Sequence, residues 1–238
     1  MENYMEDYDF DDMDFELMEE QTELKSQETI GKTDTFGLDD VIDRDLTEIQ
    51  NPKVIKEHIY MNENSIPAFK IQEQNSGEPF VVMGFKDGKF EYGMQGIKKI
   101  PYNVPDLITA TNRVVFITNG EDKADFLKSL GFITTTAPFN VAKKWKEDYN
   151  KYLQTAGKAL IVQDNSEKGK LFAENTYATI GKALGNNVGI VNLKKLASKF
   201  NIDLEDNTSL MKFREILADD SLIKVAFEAL EKTMLVEV

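Results

Sequence analysis

Two segments in the middle of the chain share one pattern, and that pattern sets the fold class. The first is Val114-Val115-Phe116-Ile117-Thr118, followed by the turn Asn119-Gly120-Glu121-Asp122 and then Lys123-Ala124-Asp125-Phe126-Leu127-Lys128-Ser129-Leu130. The second is Ala159-Leu160-Ile161-Val162-Gln163, followed by Asp164-Asn165-Ser166-Glu167-Lys168-Gly169 and a helix from about Lys170. Apolar, β-branched runs without polar alternation fit strands buried on both faces, as in a parallel sheet covered by helices. Ligand chemistry in such a sheet sits beyond the carboxyl ends of the strands, where both acidic turns fall. Carboxylate oxygens at that place are what a hard divalent cation prefers.

The flanking sequence completes an α/β chain. Ile66–Gln74, Phe80–Phe85 and Lys89–Tyr92 read as antiparallel strands, with Asp87-Gly88 as a hairpin turn. The aromatics Phe69, Phe80, Phe85, Phe90 and Tyr92 read first as core or cross-strand pairs, and second as base-stacking platforms. Phe132–Thr136 and Val188–Val191 predict two further strands of the parallel sheet. Val141–Tyr152, Lys170–Leu184, Leu193–Phe200, Thr208–Ala218 and Ser221–Leu235 predict helices, with Trp145 as a core anchor. Gly185-Asn186-Asn187 is a helix stop and Asp219-Asp220 a capping pair. The expected organisation is an acidic tail over 1–50, an antiparallel β subdomain and lead-in over 51–110, a parallel α/β domain over 111–206, and C-terminal helices over 207–238.

Taken together, the two turns resemble the Toprim domain of phage and plasmid primases and primase-helicases. That family carries a Glu-Gly-Glu turn after one strand and an Asp-x-Asp turn after a later one. The intervening Leu130-Gly131-Phe132-Ile133-Thr134 and the upstream Lys99-Ile100-Pro101-Tyr102 to Leu107 resemble family segments in the same order. The resemblance implies a Toprim-like fold and magnesium-assisted phosphoryl chemistry on nucleic acid. It also implies an ion held by Glu121 and Asp164, with Glu167 standing in for a lost ligand and Asp203 or Asp206 for a further carboxylate. Two positions depart from the pattern. Asn119 stands where the family has its general acid–base glutamate, and an amide exchanges no proton near neutral pH. Ser166 stands where a second metal-binding aspartate is expected, and a hydroxyl is a poorer cation ligand. The resemblance therefore implies the fold with its standard catalysis weakened or lost.

Charge divides the chain unevenly. Residues 1–50 hold 18 acidic and 3 basic residues, a net of −15, which leaves the rest of the −14 chain at +1. In Tyr4-Met5-Glu6-Asp7-Tyr8-Asp9-Phe10-Asp11-Asp12-Met13-Asp14-Phe15, acidic residues alternate with aromatics and methionines. Like charges at that density oppose compaction, so disorder is the expectation. The sharper reading docks Tyr8, Phe10 and Phe15 in an apolar groove of a basic partner, or lets the tail mimic nucleic acid. The absence of cysteine excludes disulfides and cysteine-ligated zinc, and one histidine, His58, excludes a histidine-rich metal site. No apolar run approaches the roughly 20 residues of a membrane span, and the acidic start is unlike a secretory leader, so the expected location is the cytoplasm.

Two functions follow. One is a phage or mobile-element Toprim-like protein in nucleic-acid replication or processing, with magnesium as its only implied cofactor and nucleic acid or a replication or defence protein as partner. The other is a non-catalytic interaction or inhibitor protein whose acidic tail engages a basic partner. A third, purely structural reading leaves Glu121, Asp122 and Asp164 as carboxylates that complement helix dipoles.

Overall fold

In the computed structural model, residues 53–75, 80–138 and 145–235 are described. The expectations for the tail, with Tyr8, Phe10 and Phe15, and for the start of the Val141–Tyr152 helix lie outside the described residues. Pro52–Val238 forms one compact unit. It is a mixed α/β structure with a four-stranded antiparallel sheet and a four-stranded parallel sheet flanked by helices.

The antiparallel sheet runs β1 (Val54–Met61), β2 (Pro67–Gln74), β3 (Val81–Lys86) and β4 (Lys89–Tyr92), in that spatial order. Asp87 and Gly88 join β3 to β4 with φ of 49° and 82°, the double positive that a two-residue hairpin needs. Phe85 and Phe90 face each other across that hairpin at 5.0 Å, and Phe69 is fully buried. Tyr92 is largely exposed, at 76%. Packing accounts for Phe69, Phe85 and Phe90, while the half-buried Phe80 lines the cleft described below. Strand β1 was not foreseen, because Val-Ile-Lys-Glu-His-Ile-Tyr-Met carries the consecutive polar residues Lys56, Glu57 and His58 among its apolar ones.

A short helix α1 (Val104–Ile108) leads into the parallel sheet, which comprises β5 (Val114–Ile117), β6 (Ile133–Thr135), β7 (Lys158–Gln163) and β8 (Val188–Asn192). The spatial order is β6-β5-β7-β8. Helix α2 (Glu121–Ser129) connects β5 to β6, and α3 (Glu167–Leu184) connects β7 to β8. These crossovers run in opposite directions, and since such connections are right-handed they place α2 and α3 on opposite faces. Beyond β8 come α4 (Leu193–Ser198), α5 (Leu210–Leu217) and α6 (Asp220–Leu235). The main core is built on the α2 face, where Phe116, Leu160 and Val162 of the sheet meet Phe126, Leu127, Leu196, Phe213, Ile223 and Phe227. Phe116, Phe132 and Phe227 pack at its centre with ring separations of 5.3, 5.1 and 5.8 Å. Alternation along the strands turns Val115, Ile117, Ala159 and Ile161 to the other face, and all four are buried there.

Three expected elements differ in detail. Glu147–Leu153 is a 3₁₀-helix where a longer α-helix was expected, although Trp145 is buried as anticipated and donates its indole N–H to Asn150 Oδ1 at 2.8 Å. Helix α3 starts at Glu167, three residues early, because Ser166 Oγ accepts the Gly169 N–H at 3.0 Å and caps it. Strand β8 is an edge strand, with Ile190 39% exposed, so it is buried on one side only.

Candidate functional site

The strand order β6-β5-β7-β8 reverses direction between β5 and β7, and the crevice at the carboxyl ends of those two strands is where open α/β sheets bind ligands. The two motif turns arrive at that point. After β5, Gly120 adopts φ 142°, ψ 150°, a conformation open to glycine alone, so the chain can enter α2 directly. Its N–H donates to Thr136 Oγ1 at 3.1 Å, and its carbonyl accepts from Thr118 Oγ1 at 2.9 Å. After β7, the second turn is pinned from the opposite side. Asn165 N–H donates to Thr208 O at 2.9 Å, and Asn165 Nδ2 donates to Leu204 O at 3.1 Å and Glu205 O at 2.7 Å. Gly169 lets α3 press on this turn, since a Cβ there would stand 2.7 Å from the Asp164 carbonyl oxygen and 2.8 Å from its Cβ.

The side chains of the two turns meet through Lys123. Its ammonium donates to Asn119 Oδ1 and to Asp164 Oδ2, joining the end of β5 to the end of β7. The Lys123 and Asp164 side chains are 15% and 6% exposed, so this is a largely desolvated pair. The second oxygen of Asp164, Oδ1, accepts the Leu210 N–H at 2.9 Å, in the first turn of α5.

The acidic start of α2 is paired differently. Residues Lys56, His58 and Tyr60 alternate onto one face of β1 and reach α2 in sequence. Lys56 Nζ stands 2.6 Å from Asp122 Oδ1. His58 Nε2 is 3.2 Å from Asp122 Oδ1, and His58 Nδ1 is 3.1 Å from Asp125 Oδ2. Tyr60 donates its hydroxyl to the buried Glu121 Oε1 at 2.5 Å, while its ring stacks on Phe69 at 4.2 Å. Burial pushes the Tyr60 phenol well above its ordinary range, and the Glu121 carboxylate adds to the shift. Burial opposes charge on His58, but the carboxylates of Asp125, Glu121 and Asp122 outweigh it and raise its pKa. Tyr102 closes the cluster at 5.9 Å from the His58 ring, its phenol also raised by burial and by Asp125.

Lys56, His58, Glu121 and Asp122 line a cleft of about 250 Å³ between β1 and β2 on one side and the starts of α2 and α5 on the other. Its walls include Lys56, His58, Phe80, Asn119, Lys123 and Met211. Of the residues singled out from the sequence, Asn119, Glu121 and Asp164 are in or beside this cleft. Glu167 is exposed in the first turn of α3, and Asp203 and Asp206 are exposed in the loop that Asn165 pins. Lys56, His58, Tyr60 and Lys123 were missed. The signal for the first three was their spacing of two along a strand, which the charged composition of β1 obscured.

The arrangement does not fit the divalent ion that the resemblance implies. Both oxygens of Asp164 already accept from protein donors, as do Asn119 Oδ1 and Glu121 Oε1, and Glu167 points to solvent. Among the described residues, no three His, Cys, Asp or Glu side chains are grouped to hold a metal. The cleft lining sets Lys56, His58 and Lys123 beside Glu73, Glu121 and Asp122, against an apolar wall of Ile71, Phe80 and Met211.

Among the described residues no helix is long and apolar enough to cross a membrane. No family model matches the chain, and no curated protein matches it in sequence. Among solved structures it is similar to the crystal structure of the primase fragment of the bacteriophage T7 primase-helicase protein, at 12% identity and a TM-score of 0.47. That match covers 71% of this chain and 60% of the other.

Proposed function

We propose that this chain is a Toprim-like protein of the phage or mobile-element kind, associated with nucleic acid during replication or processing, which binds without metal-dependent catalysis. The observation that carries this reading is the bridge at the crevice between β5 and β7. An amide occupies the place of the proton-transferring glutamate, and a lysine joins it to Asp164. Phosphoryl chemistry of the Toprim type needs carboxylates free to hold an ion, and here each motif carboxylate except Glu167 has an internal partner. The cleft's Lys56 and the Phe80 wall suit a phosphate backbone and a base, respectively.

The test is fluorescence anisotropy of single-stranded DNA and RNA oligonucleotides with the full chain, beside primer-synthesis and nicking assays in magnesium and manganese. Salt-dependent binding without turnover is expected, with Lys56→Ala weakening it and reducing the salt slope by about one. Magnesium-dependent turnover abolished by Asp164→Ala would overturn the non-catalytic part. Failure to bind either nucleic acid would overturn the association.

A second reading rests on the charge asymmetry. With −15 in the first 50 residues and +1 in the rest, the tail is suited to a basic replication or defence protein. Co-purification of such a partner, lost on Tyr8→Ala, Phe10→Ala and Phe15→Ala together, would favour it.

A further inference from the structure

We infer that the Lys123 ammonium is the resident cation of this site, and that Asn119 and Lys123 together replace a carboxylate and a divalent ion. The inference rests on the Toprim-like reading for where an ion is expected; the replacement itself rests on geometry and charge. The ammonium lies at the switch point of the sheet, in contact with one oxygen from each motif turn. A divalent ion bridging the two turns would need oxygens from the same two residues.

Charge accounting explains why an amide at 119 accompanies the lysine at 123. A glutamate at 119, an aspartate at 164 and a divalent ion sum to zero. Asn119, Asp164 and Lys123 also sum to zero, with the cation supplied by the chain. A glutamate at 119 beside Lys123 would leave a net negative charge in a largely desolvated place, which is costly. The lysine alone therefore under-compensates two carboxylates, and asparagine alone would leave the Asp164 charge unpaired. The two changes are therefore one exchange. Its structural consequence is that the chain itself joins β5, β7 and α5 at this junction, because Asp164 Oδ1 takes the Leu210 N–H at the same time.

The experiment titrates Mn²⁺ into the full chain without nucleic acid, by calorimetry and by thermal melting, in the wild type and in two paired variants. The wild type is expected to give no binding heat and no change in Tm. Reversing the exchange, as Lys123→Met with Asn119→Glu, adds a carboxylate at 119 beside Asp164 and removes the ammonium. That variant should become Mn²⁺-responsive, its Tm rising by roughly 5–10 °C at about 100 times Kd. Folding of that variant only when Mn²⁺ is present supports the inference equally. The second pair, Lys123→Met with Asp164→Asn, removes both charges. It should melt above Lys123→Met alone, which should lose roughly 10 °C because it leaves Asp164 buried and unpaired. Wild-type Mn²⁺ binding that Asp164→Asn abolishes overturns the inference, as does a reversed variant indifferent to Mn²⁺ or a Lys123→Met protein as stable as the wild type. Should either Lys123→Met or the reversed variant be unfolded under all conditions, the wild-type titration decides. Since no nucleic acid is present, failure here is separable from failure of nucleic-acid binding.

Discussion

Tyr60 and Glu121 show how a buried carboxylate finds a partner within the chain. The phenol hydroxyl at 2.5 Å is the partner of a side chain that is 8% exposed, and the ring behind it is fixed by Phe69. Tyr60→Phe keeps the stack and removes the donor, so it should cost about 1–3 kcal/mol in urea unfolding. An unchanged midpoint would mean that Glu121 finds water instead. His58 adds a pH dependence. Its pKa is raised in the folded chain above the 6.5 of an ordinary histidine, through Asp125, Glu121 and Asp122 acting against burial. The stability it contributes is therefore fully present below about pH 6.5 and is lost as pH rises through the higher folded value. Thermal melts between about pH 6 and pH 8 should show the wild type losing Tm relative to His58→Asn; parallel curves would exclude this role. None of these pairings is legible along the chain, because Tyr60 and Glu121 lie 61 residues apart and meet only once β1 docks on α2.

Elements that obey a single strong pattern were legible. Strands β5 and β7 are apolar on both faces because helices cover both, and their runs predicted that. Helices α5 and α6 were expected to within a few residues, since an apolar stripe and polar caps dictate them locally. Strand β1 was not, because the face that looks polar in sequence is the face that meets the acidic turn of α2. The α6 packing gives a prediction at this scale. Phe227→Ala removes the ring that touches both Phe116 and Phe132, and should cost about 3–5 kcal/mol by denaturant unfolding. It should leave nucleic-acid affinity unchanged, because Phe227 lies in the core and not in the cleft. Gly169→Ala is expected to act at a seam between elements. With its Cβ 2.7 Å from the Asp164 carbonyl oxygen, it must push α3 off the second turn, at about 1–3 kcal/mol. Wild-type stability in that variant would show that the seam can open freely.

For the whole molecule, the separation of charge matters most. Deleting residues 1–50 takes the net charge from −14 to +1. If the tail competes with nucleic acid for the cleft, the truncated chain should bind single-stranded DNA more tightly, and the gain should shrink as salt screens it. Equal affinities at low salt would exclude that competition. The cooperative melt should survive truncation, because Pro52–Val238 is compact in itself. The sequence by itself determined the α/β class and the two strand–turn–helix units, since each depends on neighbours a few residues apart. The tertiary structure alone decided what the acidic residues do. Lys123, Tyr60, His58 and the Leu210 N–H reach them from other elements, and a carboxylate in sequence looks the same whether its partner is an ion, an ammonium or a phenol.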